Sequence, residues 1–457
     1  MPQFVFFVVC SLFFMSSALG SADFDAGADL RVRQEMLDHV PGLPGGGVWL
    51  NAKEMRYRNQ LRFRPRVWAE ESLVSDIGKF RLRLRLTDEF RHYVHTSSKV
   101  KYRWPDEVII DNLFIEGRDL ADGFIDFRLG RLDIHGLYGL DYVFDDGTPG
   151  DASRTFYGDM ATVTLNFTKD STLDFFGIYN RDDNVLRWGT DDDKHRPLTG
   201  LGGGAEPEMD DWGFGAIWGS KLAKWLPYQV YVMQKNTLEF ERKGEVHPWT
   251  QRELVGTKLM PQLDDEWSLH LEGIGQVGCN GEGATLTGWF AYSGVKWKSA
   301  RKSTVRPFAS LGYKFMSGDD DAADEDGGHS AWDPMWGRGI ADSLLFAYGT
   351  NYGVQWWSNV QVASLTAGLD LGRRHRVSAN CGPMFAAAQD GLGGGEGMYK
   401  GLLSWAKYEF PIWLPNHEQG ERLEVFGHLL AELFNPGDYY EAEKAAWFLR
   451  WQVEFRF

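Results

Sequence analysis

From Met55 onward the chain alternates polar and apolar side chains with a period of two, which restricts these stretches to extended strands. Arg56, Arg58, Gln60, Arg62, Arg64 and Arg66 hold even positions, while Met55, Tyr57, Leu61, Phe63 and Val67 hold odd ones. Lys79, Arg81, Arg83 and Arg85 then interleave with Phe80, Leu82, Leu84 and Leu86. Successive side chains of a strand point to opposite faces, so each segment carries one basic and one apolar face. On a helix the same arginines would be spread around the cylinder. The pattern returns at Leu173, Phe175 and Tyr179; at Trp267, Leu269 and Leu271; and at Ala309, Leu311, Tyr313 and Phe315. It is clearest at the end, where Trp447, Leu449, Trp451, Val453, Phe455 and Phe457 oppose Arg450, Gln452, Glu454 and Arg456.

Composition narrows what such strands can build. Aromatic residues make up 14% of the 457, too many to leave in water, so a disordered chain is excluded. The formal charge of −16 argues against a general nucleic-acid partner, because phosphate contact needs a net basic surface. Three cysteines cannot form a disulfide scaffold. Phe4 to Phe14 has the length of a secretory apolar region, and Ala18 and Gly20 supply small residues for cleavage, so residues 1–20 are expected to be an export signal. Cys10 would leave with it, and Cys279 and Cys381 would remain as one optional pair.

No later stretch is long and apolar enough for a membrane helix. Only helices and closed barrels satisfy backbone polar groups in lipid. A soluble sandwich would need a core for some 18 strand-like segments with no visible domain boundary. The expected fold is therefore all-β: a transmembrane antiparallel up-and-down β-barrel of about 18 strands in a bacterial outer membrane, its outside in contact with lipid. The division expected is a signal at 1–20, a periplasmic N-terminal lead at 21–52 and the barrel at 53–457. Strand parity exposes one inconsistency. Counting back from the C-terminus puts the acidic connection Phe315–Ala341 on the periplasmic side, although long loops belong outside. The expectation is that Ser343–Trp357 is loop and that a strand has been missed upstream.

Acidic residues cluster between strands, at Asp145-Asp146 with Asp151, at Asp191-Asp192-Asp193 and from Asp319 to Asp326. The arginine ladders lie on strand faces opposite the apolar side chains, and so would face the lumen. Inward neighbours on one strand stand roughly 6.6 Å apart, close enough to demand carboxylate partners or anionic ligands. Arg binds carboxylates bidentately, which suits a track for a polyanion. The plainer reading pairs each arginine with Asp or Glu on neighbouring strands.

Several segments together resemble alginate-export-type outer-membrane proteins. They are Leu129-Gly130-Arg131-Leu132-Asp133 followed by Asp151-Ala152-Ser153-Arg154-Thr155-Phe156-Tyr157-Gly158; Tyr313 to Asp321 followed by Trp332-Asp333-Pro334-Met335; and Leu433 to Tyr440 before Ala446-Trp447-Phe448-Leu449-Arg450. The resemblance implies an 18-stranded barrel whose arginine-rich constriction passes an anionic polysaccharide, with Arg131 and Arg154 as the motif arginines and periplasmic export machinery as a partner. Two features depart from the pattern: the usual polar residue after the first motif arginine is Leu132, and His135 to Leu140 is more apolar and Gly-rich. The lumenal residues expected to meet the anionic sugar chain are Arg62, Arg64, Arg66, Arg81, Arg83, Arg85, Arg128, Arg131, Arg154 and Arg450.

Other constellations carry less. His92 and His95 fall on opposite faces of a strand and do not suggest a metal site. The Asp319–Asp326 loop has oxygen ligands enough for Ca²⁺ but lacks the ordered spacing of an EF-hand, and no other cofactor is expected. The Gly-rich runs at 200–204 and 391–395 lack the context of a phosphate cradle. No catalytic set is visible, so the chain is not expected to be an enzyme. The alternatives are a general small-anion porin, an outer-membrane barrel enzyme and a closed structural barrel.

Overall fold

The computed structural model describes residues 22–41, 54–55, 57–88, 90–95, 102–103, 107–134, 136–144, 157–180, 187–189, 210–242, 245–320, 329–337, 343, 345, 358–372, 374–390, 393–415 and 422–457. The expected signal at 1–20, Arg56, Arg154, the glycine run at 200–204, residues 391 and 392, most of the acidic stretches and all but two residues of 343–357 lie outside them.

The chain is a closed antiparallel barrel of 18 strands. The first six are β1 (Ala22–Asp38), β2 (Arg58–Ser75), β3 (Gly78–Thr87, prolonged by Phe90–His95), β4 (Glu107–Asp119), β5 (Ile125–Asp133) and β6 (Tyr157–Thr168). Next come β7 (Ser171–Asn180), β8 (Asp211–Ala223), β9 (Leu226–Thr237), β10 (Thr250–Leu259), β11 (Trp267–Asn280) and β12 (Thr285–Lys298). The last are β13 (Val305–Met316), β14 (Val360–Leu371), β15 (His375–Phe385), β16 (Tyr399–Trp413), β17 (Glu424–Pro436) and β18 (Ala446–Arg456). Each strand pairs with its neighbours in sequence, and β1 closes the cylinder by pairing with both β2 and β18.

The closing strand corrects the expected domain division. Residues 22–38, expected in a periplasmic lead, are a full barrel strand, with Asp29 opposite Arg456 on one side and Arg66 on the other. Its alternation of Leu30, Val32, Gln34 and Met36 with Arg31, Arg33, Glu35 and Leu37 is less regular than that of β2, because polar Gln34 and apolar Leu37 each interrupt a face. This is the strand missed upstream. It brings the total to 18, while the parity is restored by β13 and β14 pairing directly across the single connection 317–359. Connections at the end bearing Phe457 are short, such as 76–77, 169–170 and 224–225, while those at the other end include 134–156, 181–210 and 317–359. Short turns mark the periplasmic side, so the acidic connection is extracellular.

The outer face is apolar and open to the surroundings: Val67, Phe214, Val255, Leu311, Leu365 and Leu429 are all exposed. Aromatic side chains such as Trp225, Trp267, Trp413 and Phe457 sit near strand ends. A closed cylinder with such a girdle is an outer-membrane protein. Leu365→Arg, in the middle of β14, is expected to lower folding stability in lipid vesicles by about 2–4 kcal/mol. The neighbouring Thr366, bonded to Asn380 Nδ2 at 2.7 Å on the lumenal face, is expected to tolerate the same substitution with a much smaller loss in denaturant titrations.

The buried apolar cluster sits inside the cylinder. It joins wall residues such as Phe176, Tyr231, Phe290 and Phe434 chiefly to side chains of two inward-folding extracellular loops, 136–144 and 329–337, with Tyr439, Tyr440 and Ala442 added from a third.

Candidate functional site

One wall of the lumen, running from β18 through β1, β2, β3 and β4 to β5, carries the arginine ladders. Arg62 and Arg64 are buried while Val67 on the opposite face is half exposed, so the arginines point inward as the alternation requires. They are not bare. Glu35 on β1 accepts Arg62 Nη1 at 3.0 Å, the Arg450 guanidinium and Gln60 Nε2 at 2.7 Å, and forms an ion pair with Arg33, whose Nε stands 3.0 Å away. Asp29 accepts Arg66 Nε at 2.8 Å and stands 3.9 Å from Arg64 Nη2. Glu70 pairs with Arg83 at 2.7 Å and Arg81 at 3.4 Å. Glu116 meets Arg81 at 2.8 Å, Arg118 at 2.9 Å and Arg128 at 2.6 Å. Arg85 is gripped by Asp111 at 2.8 Å and Asp133 at 2.6 Å.

The register explains the pairing. Glu70 lies directly across from Arg83, Glu116 from both Arg81 and Arg128, Asp29 from Arg66, and Glu35 from Arg450. Directly opposite side chains are close enough to interact, and opposite charges stabilise the pair. Yet Glu35 and Glu116 each answer three guanidiniums, and Glu70 and Asp29 two. Sharing relieves repulsion between arginines and leaves this stretch of wall net positive.

Of the expected lumenal residues, Arg62, Arg64, Arg66, Arg81, Arg83, Arg85, Arg128 and Arg450 form this one wall. Arg131 is different. It is 4% exposed, bonded to Asp159 through Nε at 2.7 Å and to the Ile110 carbonyl through Nη1 at 2.9 Å, and lies 4.1 Å over the Tyr157 ring. Those contacts rivet it into the barrel wall. Leu132 beside it packs into the lumenal apolar cluster.

The opposite wall holds the inward loops. Lys235 Nζ donates to the Met335 carbonyl at 2.6 Å, Gln276 Nε2 to that of Asp333, and Lys258 Nζ to that of Gly139. Gln229 Nε2 donates to the Tyr138 carbonyl at 3.0 Å, and Leu345 N to Glu432 Oε2 at 2.9 Å. Between these anchors Phe144 stacks on Trp336 at 5.6 Å, both meet Phe176 edge-on, and Tyr142 lies 4.2 Å from Phe290. The wall makes room for them. Gly213 faces inward between exposed Trp212 and Phe214, and the Trp336 ring comes within 2.5 Å of where its Cβ would be. The lumen, expected to be arginine-lined, is thus arginine-lined on one side and narrowed by an apolar plug on the other. The only sequence sign was the unusually apolar, Gly-rich run after His135.

Lys258→Met removes the bond to Gly139. It is expected to increase single-channel conductance and add rapid current fluctuation in planar bilayers. An unchanged trace would mean that the 136–144 loop does not set the bore.

Near the extracellular rim, Asp390 accepts Tyr439 Oη at 2.7 Å and the Asn359 amide, tying three loops together. Burial there, with Asp390 alongside, holds the Tyr439 hydroxyl well above the usual phenol range. Asp319 meets His329 Nδ1 at 3.1 Å, while 321–326 lie outside the described residues. Among the described residues no group of three potential ligands gathers for a metal. Cys279 and Cys381 are free thiols.

No family model matches the chain, and neither does any curated protein. Its likeness is to solved barrels. OccK5 (OpdH) of Pseudomonas aeruginosa aligns with a TM-score of 0.55 at 9% identity over 94% of this chain and 98% of that one. OccAB2 of Acinetobacter baumannii gives 0.54 at 10% identity over 95% and 98%, and Pseudomonas aeruginosa OccK9 (OpdG) 0.53 at 11% over 94% and 98%. At such identities the likeness shows the fold alone, a closed antiparallel 18-strand barrel shared with these outer-membrane proteins. None of the three comparisons supports the resemblance to alginate-export proteins, and the expectation of that particular family is set aside.

Proposed function

We propose that the protein is an outer-membrane channel for small anionic solutes, with the β18–β5 arginine wall as their track. The observation that carries this reading is a net-positive wall of shared ion pairs facing an apolar plug, inside a lumen narrowed by two loops. An anion moving along the wall exchanges one part-exposed guanidinium for the next, among Arg66, Arg81, Arg83 and Arg128, since their shared carboxylates leave positive charge in reach. The plug confines the path to that side. The narrowing speaks against the alginate-like polymer and for small ions. The test is uptake by proteoliposomes. Small carboxylates are expected to enter faster than neutral solutes of equal size. Equal rates would remove the anion reading, and passage of a uronate polymer would restore the polysaccharide one.

A further inference from the structure

At the periplasmic end the lumen opens into a cavity of about 860 Å³. Eight lysines and arginines and three carboxylates line it, a formal charge of +5 with histidines neutral. The register organises this charge. Directly opposed side chains on successive strands read Arg306, Asp370, Arg376, Glu409, His428 and Gln452 from β13 to β18.

The carboxylates are already engaged. Asp370 holds Arg376 at 2.7 Å, Lys298 at 2.9 Å and Arg306 at 4.0 Å, Glu409 holds Lys407 at 2.9 Å, and Glu454 holds Arg456 at 2.9 Å. Further positive charge comes from exposed turns: Arg301 and Lys302 between β12 and β13, and Arg374 between β14 and β15. Two guanidiniums flank one ring, with Arg374 5.8 Å and Arg456 5.3 Å from the centre of Phe426. Each fork also meets one carboxylate, Arg456 through Nε at 2.9 Å from Glu454 and Arg374 through Nη1 at 3.5 Å from Glu424, and stacking orders the rest of the fork without using its N–H donors.

We propose that this vestibule is a binding site for an organic anion bearing two or more carboxylate or phosphate groups. A monovalent ion would offset only one of the five excess charges. The cations also sit on separate strands and turns around a space of the size that ligand pockets have, so anionic groups spaced along one molecule engage several forks at once. Arg forks bind both carboxylate and phosphate bidentately. The site is distinct from the ladder wall, and binding here needs no conduction.

The experiment is calorimetric titration of the full chain in detergent at low salt with citrate, inorganic pyrophosphate and acetate. Citrate and pyrophosphate are expected to bind, and acetate about tenfold more weakly or less, since each lost charged contact is worth about a factor of ten. Arg301→Gln, Lys302→Gln and Arg374→Gln together, all on exposed turns, should weaken citrate by about tenfold or more. Lys221→Gln with Lys224→Gln, exposed at the β8–β9 turn and outside both the vestibule and the ladder, should leave it unchanged. Acetate equal to citrate, no loss in the turn variant, or an equal loss in the β8–β9 variant would each overturn the proposal. Should the turn variant fail to fold, the charge series on the unmodified protein decides. Because the titration reads binding alone, its failure is separable from that of the channel reading in proteoliposomes.

Discussion

Glu35→Gln is expected to destabilise the barrel by about 3–5 kcal/mol, the cost of breaking a buried ion pair by removing one partner. Glu35 is 1% exposed and touches Arg33, Arg62, Arg450 and Gln60. Replacing its carboxylate leaves three guanidiniums facing one another in a dry part of the wall. The site also lies on the strand that closes the cylinder, between β18 and β2. The loss should therefore appear both in guanidinium unfolding midpoints and as a weakened heat-resistant electrophoretic form. Arg456→Gln is the control, since that side chain is largely exposed and exposed pairs are worth at most about 1 kcal/mol. A Glu35 variant as stable as the control would mean that the β18–β1–β2 network is not what holds the closure.

The second large effect concerns selectivity. In planar bilayers the channel is expected to prefer anions at 0.1 M salt and to lose most of that preference at 1 M, where the screening length falls from about 10 Å to about 3 Å. Arg81 and Arg83 are 27% and 24% exposed, hence within reach of a passing ion, and Glu70 pairs with both. Arg81→Gln with Arg83→Gln removes two positive charges and frees the Glu70 carboxylate, so the reversal potential should shift towards cations. Glu70→Gln should shift it the other way. Neutralising the acidic loop residues Asp145 and Asp146 should do less than either. Equal shifts for ladder and loop, or no initial anion preference, would end the proposal of an anion track while leaving the barrel untouched.

The alternation on β2, β3, β13 and β18 was legible because each such strand has one apolar and one polar face, and a side chain's face depends only on its parity. The same local rule oriented Arg62 to Arg66 and Arg81 to Arg85. It missed β1, where Gln34 interrupts the apolar face, and so misplaced the start of the barrel. Nor could it find the partners of the arginines. Glu35 is 27 residues from Arg62 in sequence and 415 from Arg450, and only strand register brings them together.

By itself, then, the order of residues determined that this chain is a cylinder of strands with grease outside and guanidinium within, because both facts follow from a two-residue repeat. Tertiary structure alone decided how much of that positive charge is answered, which wall it occupies and what narrows the lumen. Closure of β1 onto β18 joins the chain's two ends into one ion-pair network, and two distant loops meet as Phe144 against Trp336. Both depend on contacts between segments far apart along the chain, and no periodicity encodes those.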